Sequence, residues 1–528
     1  MFYGFVSAAG GSQKQALLVR WLKTRASPPA IVYRKVEQAP SPAADFELPN
    51  GCALAADNRW VIMAQIIPWS EFEAEYAQNF VTEKGPPAKS FRLALGALII
   101  KEKLGISDRE TVEQIRENPY LQYFIGQSSY SNEAPFDPSL LVHFRQRISV
   151  DIVNKINQEM VKRIRETADS ESEKKKLEAE SNLPKNRGKL ILDATCAPAD
   201  ISYPTDLGLL NAALKHTEKI IDSLYKSLKT QVKKTPRTYR LKARKDYLKV
   251  AKQRRPSRNP KTKAIKKQLQ YIKRNLSHIE KLKELGADLG SLNKRQYKML
   301  LVVTEVYRQQ HWLAEHKKQS ISDIIVSLSQ PHLRPIVRGK AGKPVEFGAK
   351  LSASYFEGYV FLARLSWDNF NESGDFKAQI EAYYKFTGSY PESVHVDRIY
   401  RTRENRAWCR ERGIRISGPP LGRPPANVSK EKKKQALEDE KIRSSIEGKF
   451  GVSKRRFSLA RVMTKLANTS ETAIAITFLV MNLSTWLRQV FCVVFCQESK
   501  TTPVYGFVII KSYKLAKLRQ DKLMFERA

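Results

Sequence analysis

Three carboxylates occupy positions where acids can do phosphate chemistry. Asp193 closes the apolar run Lys189-Leu190-Ile191-Leu192-Asp193-Ala194-Thr195, which reads as a buried strand. Asp397 closes Ser393-Val394-His395-Val396-Asp397, a second short strand of the same kind. Glu447 lies on a helix that begins near Gln435 and runs through Arg443 into Gly448. Two strand-end acids and a helix-borne one can converge on hard cations. A pair of Mg²⁺ ions about 3.5–4 Å apart activates an attacking oxygen and stabilises a leaving one in phosphoryl transfer. Each aspartate taken singly also fits a turn or a helix cap. His395, two residues before Asp397 on the same strand face, fits packing as well as function.

The acids need a scaffold, and the chain around them supplies α/β signals. Strands at 345–354 and 359–366 flank a turn at Glu357-Gly358, a helix covers 375–387, another covers 404–412, and a strand follows at 414–417. A Pro- and Lys-rich loop, 419–434, precedes the helix of Glu447. Residues 472–487 are the most apolar stretch; they fall short of the ~20 residues of a membrane helix and contain Asn482, Ser484 and Thr485, so a core helix is expected.

Upstream, residues 60–148 carry helical periodicity, with helices expected over 71–80 and 88–104. A third opens on the capping-box pattern Ser107-Asp108-Arg109-Glu110, and a fourth follows the turn Phe136-Asp137-Pro138-Ser139. Such a bundle fits a helix-turn-helix-like DNA reader and equally any small helical domain. Between about 207 and 301 lies a helical insertion whose middle, 226–274, holds twenty Lys and Arg beside a single acid, Asp246, interrupted by Pro236, Pro256 and Pro260. A solvated helix pair is the plain reading; one sign this dominant favours phosphate binding, with Arg254 and Arg255 at its centre.

Bulk properties agree. The 528 residues exceed one core, and 92 Lys plus Arg against 54 Asp plus Glu give a net charge of +38, which calls for a polyanion partner such as nucleic acid. Five scattered cysteines and seven histidines show no zinc spacing, and the Cys492/Cys496 pair reads as packing, so zinc is not expected. The N-terminus makes a poor signal peptide, a reducing cytoplasm fits, and no membrane contact is expected. No Gly-x-x-x-x-Gly-Lys-Ser/Thr loop occurs, so no nucleotide cofactor is expected.

Arg443, three residues, Glu447, six residues and Lys454 resemble the Arg-x3-Glu-x6-Lys signature of DDE transposases of bacterial insertion sequences. The family places Tyr three residues before that Arg, where this chain has Glu440. Residues 92–126, with Ser107-Asp108-Arg109-Glu110 and Glu117-Asn118-Pro119-Tyr120, are similar to the helical N-terminal transposase domain of one such group. The resemblance implies an α/β RNase H-like catalytic core with a helical N-terminal domain and a long basic helical insertion. Asp193, Asp397 and Glu447 would be the catalytic Mg²⁺ ligands, Mn²⁺ being an alternative, with Arg443 and Lys454 as DNA contacts. In the family, water attacks the phosphodiester at the element end and the freed 3′-hydroxyl attacks target DNA.

The expected organisation is a disordered leader (1–48), a helical DNA-binding domain (49–165), a linker (166–188), the catalytic domain (189–490) with its insertion (207–340), and a tail (491–528) in which 505–510 reads as a strand or as frameshifted sequence. The expected partner is double-stranded DNA, element ends and target, bound by a homodimer in the cytoplasm, associated with the nucleoid. Two other readings stay open: an RNase H-fold nuclease that cuts without joining, and an inactive DNA-binding remnant.

Overall fold

A computed structural model describes residues 33, 42–80, 87–172, 186–229, 232, 234–255, 257–340, 343–418 and 429–498. Most of the expected leader and linker, Pro256, the loop at 419–428, the side chains of Cys492 and Cys496 and the 505–510 segment lie outside the described residues. The chain divides into two compact units, one of 1–197, 350–365 and 370–528, the other of 198–349 and 366–369.

The first unit starts with seven helices: α1 (Arg59–Ile66), α2 (Trp69–Ala77), α3 (Phe91–Leu104), α4 (Asp108–Glu117), α5 (Pro119–Phe124), α6 (Leu140–Arg147) and α7 (Val150–Ser172). Their ends follow local chemistry. The Ser107 hydroxyl accepts the Glu110 amide at 3.2 Å and caps α4, while Gly105, at φ +69°, ends α3 in the left-handed conformation. Trp60, Trp69 and Phe124 meet edge to face, and the buried Arg92 donates to the carbonyls of Phe124 and Tyr123. Tyr33 packs on this bundle, its ring stacked on Phe80.

The same unit holds a sheet in which β3, β1, β5 and β6 lie side by side in that order and β4 pairs with β3. Its strands are β1 (Lys189–Pro198), the second half of β3 (Lys343–Phe356), β4 (Tyr359–Ser366), β5 (Ser393–His395) and β6 (Arg415–Ser417). β5 runs parallel to β1 with Ile191 opposite His395, and β6 parallel to β5. The hairpin β3–β4 turns on Glu357 and Gly358, whose φ values of +52° and +91° match the twist of the flanking strands. β1 is central and continues past Asp193 to Pro198, so Asp193 sits in mid-strand rather than at a strand end. β5 stops at His395, two residues before Asp397.

Helices α12 (Phe376–Thr387), α13 (Arg403–Glu411), α14 (Lys430–Arg456) and α15 (Ala467–Glu498), numbered in chain order after the four helices of the second unit, also belong to this unit. α14 starts before Gln435 and runs eight residues beyond Gly448, which brings Lys454 onto the helix of Glu447. α15 is longer than expected: its 467–491 segment is long and apolar enough to cross a membrane, and 72% of its most apolar window is buried in the protein, as in a core helix. It packs on α7, α6 and α3. Asn482 at its centre accepts the Val360 amide at 2.9 Å and donates to the Val360 carbonyl at 2.8 Å, tying α15 to β4.

In the second unit α8 (Asp206–Ser227), α9 (Arg240–Ala251), α10 (Arg258–Glu284) and α11 (Lys294–His316) pack around Leu210, Leu214, Ile272, Val302 and Val306. Pro260 falls in the first turn of α10, where its missing amide costs little. β2 (Arg334–Lys340) pairs antiparallel with the first half of β3.

Candidate active site

Asp193 is held by β1, whose neighbours Leu192 and Ala194 are buried. Its carboxylate accepts its own following amide, Ala194 N–H, at 2.8 Å. Burial pushes Asp193 up to about 6 from 3.8, against the pull of that hydrogen bond; Glu372 and Glu447 push it further up, and Arg443 pulls it down. Asp193, Glu447 and Arg443 are therefore within electrostatic reach of one another, although they come from the central strand and a late helix. Glu372 joins them, and no sequence signal marks it.

Arg443 organises the helix side. Its guanidinium donates to both Glu440 oxygens at 3.1 and 2.6 Å and to Glu447 at 3.0 Å, and these partners raise its affinity for the proton still further. The spacing explains the contacts, since residues three and four apart share a helix face. Glu440, standing where the family signature has Tyr, thus acts as an anchor for Arg443, and Arg443 holds the Glu440 carboxyl below its usual range. Lys454 lies on the same face of α14, half-buried.

Asp397 is placed differently. It is exposed, and its carboxylate accepts the Arg398 amide at 2.7 Å, capping the short turn Arg398–Tyr400. That turn leads to Tyr400, which is fully buried and whose hydroxyl is pushed up by burial, then by Glu372 and Asp193. The turn Glu372–Asp375 packs against the Asp397-capped turn, and Lys350 from β3 pairs with Glu372 at 2.9 Å while donating to the Phe370 carbonyl. Asp397 is thus one turn from the Asp193 neighbourhood.

His395 resolves as a packed residue. It is fully buried, its Nε2 lies 3.0 Å from the Ser393 hydroxyl, and burial lowers its pKa. Its Nδ1 sits 3.6 Å from Asp439, which accepts two hydrogen bonds from Arg415 at 2.8 and 2.9 Å. This Arg415–Asp439 pair fixes α14 over β5 and β6 and so sets where Glu447 points.

Arg254 and Arg255 lie in the second unit, exposed between α9 and α10. The surrounding Lys242, Lys245, Lys261, Lys263 and Lys266 are exposed as well, as both the solvated-helix and the phosphate-binding readings require.

A divalent cation fits the donors present, which are carboxylate oxygens only, the set that hard cations select. Spacing is the second test: among the described residues no three His, Cys, Asp or Glu side chains stand close enough together to hold a metal. Glu447 is turned to Arg443 and Asp397 to its cap, and both contacts are on side chains free to rotate at an exposed position.

Comparison with known proteins gives matches in both the helical region and the part of the chain that carries α14. The family model described as Transposase DDE domain matches residues 394–484, from β5 through α14 into α15, and the one described as Transposase domain (DUF772) matches residues 51–147, the helical N-terminal region. An uncharacterized protein, ORF8 in the nfe locus of Rhizobium meliloti, is 31% identical over 163 residues, 30% of this chain and 72% of that protein. No solved structure matches. A helical N-terminal region and a mixed sheet with helices, with both transposase domains matched in chain order, place this chain among the DDE-type transposases of insertion sequences.

Proposed function

We propose that the protein cuts DNA at the ends of its insertion sequence and joins the freed ends to target DNA by Mg²⁺-dependent phosphoryl transfer, on an RNase H-like core. The observation that carries this is the approach of Asp193 on the central strand, Glu447 on α14 and Arg443 beside it, acids and cation drawn together from distant parts of the chain. A mixed sheet whose central strand bears the first acid, with the second just past the adjacent parallel strand, supports the RNase H-like reading.

Asp193, Asp397 and Glu447 would hold the Mg²⁺, or Mn²⁺, which when bound supplies activation of the attacking oxygen and stabilisation of the leaving one. The chain's own residues do the rest. Ala194 N–H fixes the Asp193 carboxylate, and the Arg415–Asp439 pair fixes the helix of Glu447. Arg443, oriented by Glu440, presents its guanidinium next to Asp193, where a phosphate oxygen of the cut strand would sit, and Lys454 offers a second cation on the same face. Both reaction steps are in-line displacements at phosphorus and need only positioned oxygens and neutralised charge. Arg254 and Arg255 would grip duplex DNA in the second unit, and a homodimer in the cytoplasm would hold the two element ends together.

The test is cleavage of linear DNA carrying the element's own end, with Mg²⁺ and with EDTA, for wild type and Glu447→Gln. Cleavage and joining that need both Mg²⁺ and Glu447 support the proposal. Cutting without joining makes the protein a nuclease, and salt-sensitive binding without chemistry makes it an inactive remnant.

A further inference from the structure

On the face of α14 away from Glu447 a second set of cations gathers. Lys449 and Arg456, seven residues apart, share that face, whereas Arg443, Glu447 and Lys454 share another. The Lys449 ammonium donates to the Thr485 hydroxyl at 2.8 Å, and the Lys103 ammonium, from α3, donates to the neighbouring Ser484 hydroxyl at 2.6 Å. Arg488 stands one turn further along α15, and Arg59 opens α1. Helices α1, α3 and α14 all pack on α15, so four helices bring five positive side chains to a common patch.

We infer that Arg59, Lys103, Lys449, Arg456 and Arg488 form a phosphate-binding patch for the backbone of duplex DNA, distinct from the Arg443 and Lys454 face; the inference rests on the reading of this chain as a DNA-binding transposase. Among the described residues none of the five pairs with a carboxylate, and Glu102, the acid next to Lys103, is taken up by Ser458 and Thr477. Both lysines donate to hydroxyls, which satisfy the ammonium geometrically without neutralising it. Lys103 is lowered to about 8 by burial, then by Arg59, Arg456 and Arg488, so those three charges converge on it. A protein that collects like charges without a counter-ion is less stable for it, unless an anion normally supplies the neutralisation. Arg59, Arg456 and Arg488 are exposed and spread over three helices, an open surface that suits an extended polyanion better than a small enclosed phosphate. Ammonium and guanidinium groups that meet phosphate oxygens read charge rather than bases, so the patch binds backbone of any sequence.

The experiment uses the full chain, a fluorescent linear duplex of mixed sequence, and anisotropy over a range of salt. In the triple variant Arg59→Ala, Arg456→Ala, Arg488→Ala, the slope of log affinity against log salt should fall by about 2.7, at ~0.9 for each phosphate no longer neutralised, and low-salt affinity should fall tenfold or more. The free variant should melt at a higher temperature than wild type, because repulsion is relieved. The matching triple variant to Lys should keep the wild-type slope. An unchanged slope in the Ala variant, with wild type binding in a salt-dependent way, overturns the patch and leaves the transposase reading standing. Equal weakening in the Lys variant also overturns it, because side-chain shape rather than charge then decides binding. Wild-type protein that binds no duplex at any salt sinks the underlying reading instead.

Discussion

Replacing Asp193 with Asn should make the metal-free protein more stable at neutral pH, although it removes an acid from the candidate active site. Asp193 has its pKa raised from 3.8 to about 6, first by burial and then by Glu372 and Glu447. A carboxyl whose folded pKa exceeds its unfolded one binds its proton more tightly in the fold. Its protonation therefore favours folding at low pH, and that contribution is lost as pH rises from 3.8 to 6. The ionised form costs about 3 kcal/mol above pH 6, from a shift of roughly two units at 1.36 kcal/mol each. Asn keeps an oxygen for the Ala194 amide and carries no charge, so it removes that cost. Urea unfolding in EDTA from pH 4 to 8 should give a difference between Asp193→Asn and wild type that is small near pH 4, grows through pH 6 and levels off above it. The reasoning fails if the variant is less stable than wild type at pH 8, or if the difference does not depend on pH.

Charge reversal at Arg254 and Arg255 should weaken duplex binding and lower the salt slope by about 1.8 or more, at ~0.9 per neutralised phosphate, with unfolding of the protein unchanged. Gly418→Ala should destabilise the protein by about 1–3 kcal/mol in denaturant titration, because Gly418 has φ +134° and an added Cβ would meet the Val396 carbonyl oxygen at 2.6 Å. Since Val396 precedes Asp397, the same variant should also lose cleavage.

Much of the site was legible from the chain because its signals are local. Apolar runs mark β1 and β5, helical periodicity marks α14, and Arg443, Glu447 and Lys454 share a face through spacing alone. Ser107 caps the helix that its pattern announces. Element ends were less legible. β1 continues beyond Asp193 to Pro198 although its pairing with β5 ends at Ile191, whereas β5 stops at His395 and leaves Asp397 to cap a turn. An acid after an apolar run is the same in sequence whether the strand ends there or goes on.

Sequence by itself determined the composition of this protein's surface charge, the order of its helical and mixed regions, and the three residues on one face of α14. Tertiary structure alone decided which charges meet. It set Glu372 and Tyr400 against Asp193, buried His395 beneath Asp439, and gathered Arg59, Lys103, Lys449, Arg456 and Arg488 from four helices. The reason is physical: periodicity is written into neighbours within a few residues along the chain, whereas electrostatic coupling depends on distance in space, which only packing fixes.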